Sequence, residues 1–188
     1  MRNLPFLNSK EIMMNILVVE DNQKHIDSAK VTLADHRVAI VRSFTEAMAL
    51  LKLRHDKNLE KSLRDEYMAA GYSYNEADMR ARFQCGVPTK AFDVVLTDML
   101  LTPLEQVPYG LIIALQAARN GARFVAMVSD QYHHNRTMLR ALDNLGLYVK
   151  GVKPNFEING ARVMFCYSPF YGDYQKDWGA VLQDLTQS

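Results

Sequence analysis

Glu20 and Asp21 directly follow the apolar run Ile16-Leu17-Val18-Val19, Asp98 ends the run that starts at Phe92, and Ser129 ends the run that starts at Phe124. Short apolar, β-branched runs of this kind suit strands buried on both faces of a parallel sheet. In such a sheet ligands bind beyond the carboxyl ends of the strands, where the strand order reverses. With the strand before Glu20 beside the strand before Asp98, three carboxylates converge at one point. A cluster like that repels itself unless it holds a cation or takes up protons. A hard, oxygen-seeking ion such as Mg²⁺ suits it, bound by one or two carboxylates and several waters. Ser129 would add a hydroxyl beside the same point. The bland alternative for Glu20 and Asp21 is a solvated pair that caps the next helix.

The elements that would position these residues alternate. After the first strand, Ile26, Ala29 and Leu33 recur at helical spacing. Val38-Ala39-Ile40-Val41 reads as a second strand, and Ser43-Phe44-Thr45-Glu46 as a capping box opening a helix through Leu51. Phe92–Asp98 is the third strand, residues 108–119 a helix, Phe124–Ser129 the fourth strand and residues 135–145 a short helix. Arg162–Tyr167 is the fifth strand, and residues 174–185 form a last helix with Trp178, Val181, Leu182 and Leu185 on one face. Five strands alternating with helices predict a parallel sheet covered on both sides. Between residues 53 and 91 the alternation breaks. Leu59, Leu63 and Tyr67 recur as on a helix, and Ser73-Tyr74-Asn75-Glu76 caps another that stops at Gly86. Tyr67, Tyr72 and Tyr74 either offer a contact surface or complete a local core.

The balance of 22 Lys+Arg against 21 Asp+Glu in 188 residues argues against a general nucleic-acid or anionic-membrane binder. No apolar run approaches the roughly 18 residues of a membrane span. Residues 1–14 lack the apolar stretch of a signal peptide. Cys85 and Cys166 stand far apart in sequence and read as reduced thiols, so a cytoplasmic location is expected.

Taken together, Ile16–Asn22 (ILVVEDN), Phe92–Leu101 (FDVVLTDMLL) and Phe124–Ser129 (FVAMVS) resemble the receiver domain of two-component response regulators. The resemblance covers most of residues 15–186. It implies a flavodoxin-like α/β fold, with a five-stranded parallel sheet in the order 2-1-3-4-5 and helices on both faces. A helical insertion would lie between the second helix and the third strand, and a hairpin before the fifth strand. The chain is expected to form a single domain over residues 15–188 after an extension at 1–14, with insertions near 53–91 and 148–160. The resemblance further implies phosphoryl transfer to Asp98, with Glu20, Asp21, Asp98 and the backbone carbonyl of Leu100 holding Mg²⁺ and Ser129 bonding the phosphoryl oxygen. The added charge would bias a two-state rearrangement of the last strands and helices.

The sequence departs from the family at three places. The family carries a lysine after its fifth strand. Lys153-Pro154 has the right residues behind a poor strand, whereas Ser168-Pro169 follows the best one. The second placement is favoured. It leaves Ser168, which carries no charge, in the lysine's place, and sets Phe165 where the family has a switch aromatic. Residues 148–160 then form an excursion with Asn159-Gly160 as a hairpin turn. Asp130-Gln131-Tyr132-His133-His134 brings two histidines beside the acids, and His133 or His134 could replace the missing cation or bind a metal. Finally, Pro103 comes one residue later than usual, in the loop that contains Leu100.

Three functions fit. The first is a stand-alone receiver phosphorylated by a histidine kinase or phosphotransfer protein, acting on a downstream protein partner. The second is a pseudo-receiver that binds partners independently of phosphorylation. The third is a metal-dependent hydrolase or sensor using the acids with His133 and His134. The first two make it a signalling domain rather than a metabolic enzyme. No nucleic-acid or membrane partner is expected, and a homodimer is left open.

Overall fold

The computed structural model describes residues 13–101, 109–130 and 155–187. The chain begins with β1 (Asn15–Val19), α1 (Gln23–Thr32), β2 (Arg37–Val41) and α2 (Phe44–Leu50). A short antiparallel pair, β3 (Arg54–His55) and β4 (Gly86–Val87), then encloses two helices, α3 (Lys57–Ala69) and α4 (Tyr74–Gln84). The alternation resumes with β5 (Val94–Asp98), α5 (Tyr109–Arg119) and β6 (Phe124–Ser129). It ends with β7 (Asn155–Ile158), β8 (Ala161–Tyr167), a small hairpin of β9 (Phe170–Tyr171) and β10 (Gln175–Lys176), and α6 (Trp178–Gln187).

The main sheet runs β2-β1-β5-β6-β8-β7. All pairs but the last are parallel, so the five parallel strands follow the flavodoxin-like order 2-1-3-4-5. β7 adds an antiparallel edge to β8 through Asn159 and Gly160. Both of these residues have positive φ, 51° and 76°, as a two-residue hairpin turn demands.

Period-two alternation sorts the strand residues into two cores. Leu17, Val19, Val95, Val125, Met127, Val163 and Phe165 pack toward α2 and α5, against Ala47, Ile113, Ala114 and Ala117. Ile16, Val18, Val94, Leu96, Ala126, Val128, Met164 and Cys166 pack toward α1 and α6, against Ala29, Leu33, Trp178, Val181 and Leu185. Each fully buried Val, Leu or Ile contributes about 1.5–3 kcal/mol relative to exposure, so the doubly covered strands dominate the fold's stability. Helix starts follow local chemistry. Asn22 accepts from the Lys24 N–H at 3.0 Å, and Ser43 from the Glu46 N–H at 3.2 Å. Gly110 lets α5 lie against the end of β5: a Cβ there would sit 2.4 Å from the Asp98 carbonyl oxygen.

The helical insertion between α2 and β5 is present, as an antiparallel pair. α3 has no buried residue and α4 buries only Ala77 and Ala81. The tyrosines serve this hairpin: Tyr67 Oη donates to Gln84 Oε1 at 2.7 Å and meets Tyr72 edge-on at 5.7 Å, and Arg80 lies over Tyr72 at 4.3 Å. α4 stops just before Gly86, with Cys85 as its C-cap, and Gly86 then pairs with His55. The last helix starts at Trp178 and not at 174, because Gln175-Lys176 pair with Tyr171-Phe170. Gly172 and Tyr174 take positive φ to close that turn.

Among the described residues, no helix is long and apolar enough to cross a membrane. The expected helix at 135–145, His133, His134, Lys153, Pro103 and most of the 1–14 extension lie outside the described residues.

Candidate functional site

β1 and β5 are neighbours and diverge in connection, so their carboxyl ends form the switch point of the sheet. That pairing brings Glu20, Asp21 and Asp98 together, with one carboxylate oxygen of each within 4.8 Å of the other two. Glu20 and Asp98 are almost wholly buried, and Asp21 is half-buried. The Asn22 N–H donates to Glu20 Oε1 at 3.0 Å. Ser129 is buried at the end of β6, the next strand over.

Sequence reasoning missed the cation of the site. Lys176 Nζ donates to Glu20 Oε2 at 2.6 Å and to Asp98 Oδ1 at 2.7 Å, with all three side chains buried. Ser168 directly follows β8, its N–H donating to the Ser129 carbonyl at 2.8 Å, and the charge beside the acids comes from Lys176. Ser168 Oγ donates to the Pro169 carbonyl at 2.6 Å. The physical reason is the β9–β10 hairpin. After β8 the chain turns out and back before α6, and returns Lys176 over the ends of β1 and β5. The signal was Gly172-Asp173 set between Phe170-Tyr171 and Tyr174-Gln175, a turn pair between aromatic residues.

α1 fixes Lys176 from below. Its N–H donates to His25 Nδ1 at 3.2 Å, and its carbonyl accepts from Ser28 Oγ at 2.5 Å. An acceptor Nδ1 places the imidazole proton on Nε2, which faces Asp130 Oδ2 at 3.6 Å. Trp178 Nε1 donates to the His25 carbonyl at 3.0 Å, and Lys176 Nζ stands 5.5 Å over the Trp178 ring. His25 and Ser28 thus fix the Lys176 backbone, while two carboxylates and an aromatic face hold its ammonium.

Electrostatics reflect two buried acids sharing one cation. Burial pushes the Asp98 carboxyl up to about 7; Lys176 opposes the rise and the nearby Glu20 adds to it. Burial likewise raises Glu20 against the pull of Lys176. For Lys176 burial disfavours the charge, but Asp98 and Glu20 outweigh it and hold the amine above its ordinary range. The facing His25 imidazole, 3.6 Å away, holds Asp130 low. The cluster is short of positive charge, and its donors are hard oxygens. That combination fits a small divalent cation.

Of the other expected residues, Phe165 is buried in the core toward α2 and α5, in register with Met127. Leu100 is half-buried against the same core. The aromatic at the rim is Tyr167, 44% exposed and edge-on to Phe170 at 5.7 Å.

The strand order and this acid–lysine cluster define a flavodoxin-like α/β domain with a buried charged site at its switch point. No family model matches the sequence, and no curated protein matches it. Among solved structures, the chain is similar to the receiver domain of the histidine kinase CKI1 from Arabidopsis thaliana, crystallised with Mg²⁺ and BeF₃⁻. The identity is 14% and the TM-score 0.44, over 93% of this chain and 91% of that one. It is similar also to the bacteriophytochrome response regulator AtBRR, at 20% identity and a TM-score of 0.44, over 92% of each chain.

Proposed function

We propose that this chain is a phospho-accepting receiver whose acceptor is Asp98. The observation that carries the reading is Lys176 Nζ on Asp98 Oδ1, beside Glu20 and Asp21 at the switch point. Oδ1 is engaged by the ammonium, and Oδ2 accepts no hydrogen bond among the described residues, which leaves it to attack. Asp98 Oδ2 forms a bond to the phosphorus of a phosphohistidine or small acyl phosphate as the bond to the leaving group breaks. Lys176, already oriented by His25 and Ser28, offsets the charge that gathers on the transferred group. Ser129 donates its hydroxyl to a phosphoryl oxygen. Glu20, Asp21 and Asp98, with the Leu100 carbonyl, would hold Mg²⁺, whose chemistry is neutralisation of the phosphoryl oxygens. The donor partner is a histidine kinase or phosphotransfer protein, and the output is contact with a downstream protein. The residues from 15 onward act as one domain carrying the insertions near 53–91 and 148–160.

Incubation with acetyl phosphate and Mg²⁺ should add one phosphoryl mass to the intact protein, and Asp98→Asn should prevent it. An unchanged mass at saturating donor rejects the reading.

One observation favours a second reading. Lys176 bridges Glu20 and Asp98 through two short buried contacts, so an internal cation already ties the acids together. That suits a pseudo-receiver that binds its partner without phosphorylation. Partner binding that survives Asp98→Asn supports this second reading; binding that needs acetyl phosphate supports the first.

A further inference from the structure

A second cluster of ligand-type side chains lies at the root of the helical insertion. Cys85 Sγ lies 3.3 Å from His55 Nδ1, and His55 Nε2 lies 2.8 Å from Glu60 Oε2. One donor atom from each of the three falls within 4.8 Å of the other two. The backbone forces the meeting. β3 and β4 pair His55 with Gly86, and the Asp56 N–H donates to the Cys85 carbonyl at 3.1 Å. Asp56 then caps α3 by accepting from the Asn58 and Leu59 N–H groups, which sets Glu60 in the first turn, facing His55.

We propose that Cys85, His55 and Glu60 form a three-donor site for a borderline-soft divalent cation of the Zn²⁺ class. The donor set of one sulfur, one imidazole nitrogen and one carboxylate oxygen is the mixture such ions select over Mg²⁺. The spacing agrees. Tetrahedral Zn–S and Zn–N bonds put sulfur and nitrogen about 3.5 Å apart, close to the separation seen here. Burial also separates a metal site from a nucleophile. Cys85 is 1% exposed, so a substrate carbonyl cannot reach its sulfur. His55 is half-exposed at 51%, which gives a cation a path in and leaves a water the fourth position. The thiol lies at the C-terminal end of α4, where the helix dipole disfavours a bare thiolate and a metal-bound one is neutralised. Binding would displace the thiol proton, which the sulfur can donate to the Arg82 carbonyl at 3.3 Å, and join the two ends of the insertion. Arg82 Nε, 3.5 Å from Glu60 Oε1, is the competing cation, held on a side chain that is 67% exposed.

The probe is Co²⁺ titrated into the full chain under reducing conditions. Thiolate-to-cobalt absorption in the near ultraviolet should grow to saturation at one equivalent, and Zn²⁺ should displace it. Cys85→Ser should abolish the band. His55→Ala and Glu60→Gln, which alter more accessible side chains, should weaken binding by at least about tenfold. Asp98→Asn should leave the titration unchanged, which separates this site from the acid cluster. Absence of the band, its survival in Cys85→Ser, or unaltered affinity in both His55→Ala and Glu60→Gln would overturn the proposal.

Discussion

Replacing Lys176 with Met keeps most of the side chain's apolar stem and removes its charged end. Two buried carboxylates then lose the cation that meets them at 2.6 and 2.7 Å. Removing one partner of a buried ion pair costs about 3–5 kcal/mol, because the remaining charge stays uncompensated. The acids can escape by taking up protons, so the cost depends on pH. At about pH 8, protonation costs about 1.4 kcal/mol for each unit above a group's ordinary value, and neither acid escapes cheaply. Near pH 5 the position differs. Asp98, pushed up to about 7, is already neutral in the parent protein, and pH 5 lies close to the ordinary carboxyl range of Glu20, which burial raises, so protonating it costs little. The loss should therefore be about 3–5 kcal/mol at about pH 8 and about 1 kcal/mol near pH 5. Urea unfolding followed by Trp178 fluorescence, at both pH values for both proteins, measures the difference. Mg²⁺ should restore part of the loss at the higher pH if the freed acids hold it. An equal loss at both pH values, or none at the higher one, refutes the reasoning.

Three further outcomes follow from the same geometry. The folded-state carboxyl of Asp98 lies above its unfolded value of 3.8, so the folded protein binds more protons and stability falls as pH rises from about 4 to about 7, by about 4 kcal/mol, then levels off. Asp98→Asn should remove that slope in pH-dependent urea unfolding, and a variant with the parent's slope would assign it elsewhere. His25→Leu strips the Lys176 N–H of its acceptor and should cost about 1–3 kcal/mol in stability. It should also raise the Asp130 carboxyl, visible by NMR titration; an unmoved carboxyl would break the proposed contact. Gly110→Ala drives a Cβ to 2.4 Å from the Asp98 carbonyl and 2.8 Å from Met99 Cα, both backbone, so a drop of about 1–3 kcal/mol is expected. Thermal unfolding that matches the parent would show that α5 can withdraw at no cost.

Much of the frame was legible because it is written in local patterns. Ile16–Val19, Phe92–Asp98 and Phe124–Ser129 are short runs apolar on both faces, and only burial between two helical layers satisfies both. Ser43, Ser73 and Asn159-Gly160 act through bonds or dihedrals that span a few residues, so their outcomes could be read in place. The acids were legible for the same reason, each being the residue that leaves a buried strand. Lys176 was not. Its partners lie 156 and 78 residues away, and the local turn signal at Gly172-Asp173 does not say where the returning chain lands. The segment from 174 carries a helical apolar stripe from Trp178 onward, and that stripe masks the two-residue ladder before it. Cys85 and His55 were separate residues in the sequence until β3 and β4 set them face to face.

By itself, then, the sequence determined the alternation of strands and helices and put Glu20, Asp21 and Asp98 at strand ends, while the sheet order that brings them together was only what the family resemblance implied. Periodicity, caps and turn residues specify the alternation and the strand ends at short range. The tertiary structure alone decided which cation answers those acids, and that a cysteine, a histidine and a glutamate share one corner. Both depend on how far the chain travels before it returns. Contacts of that kind arise from the closure of long loops onto an already formed sheet, and no local preference encodes where such a loop lands.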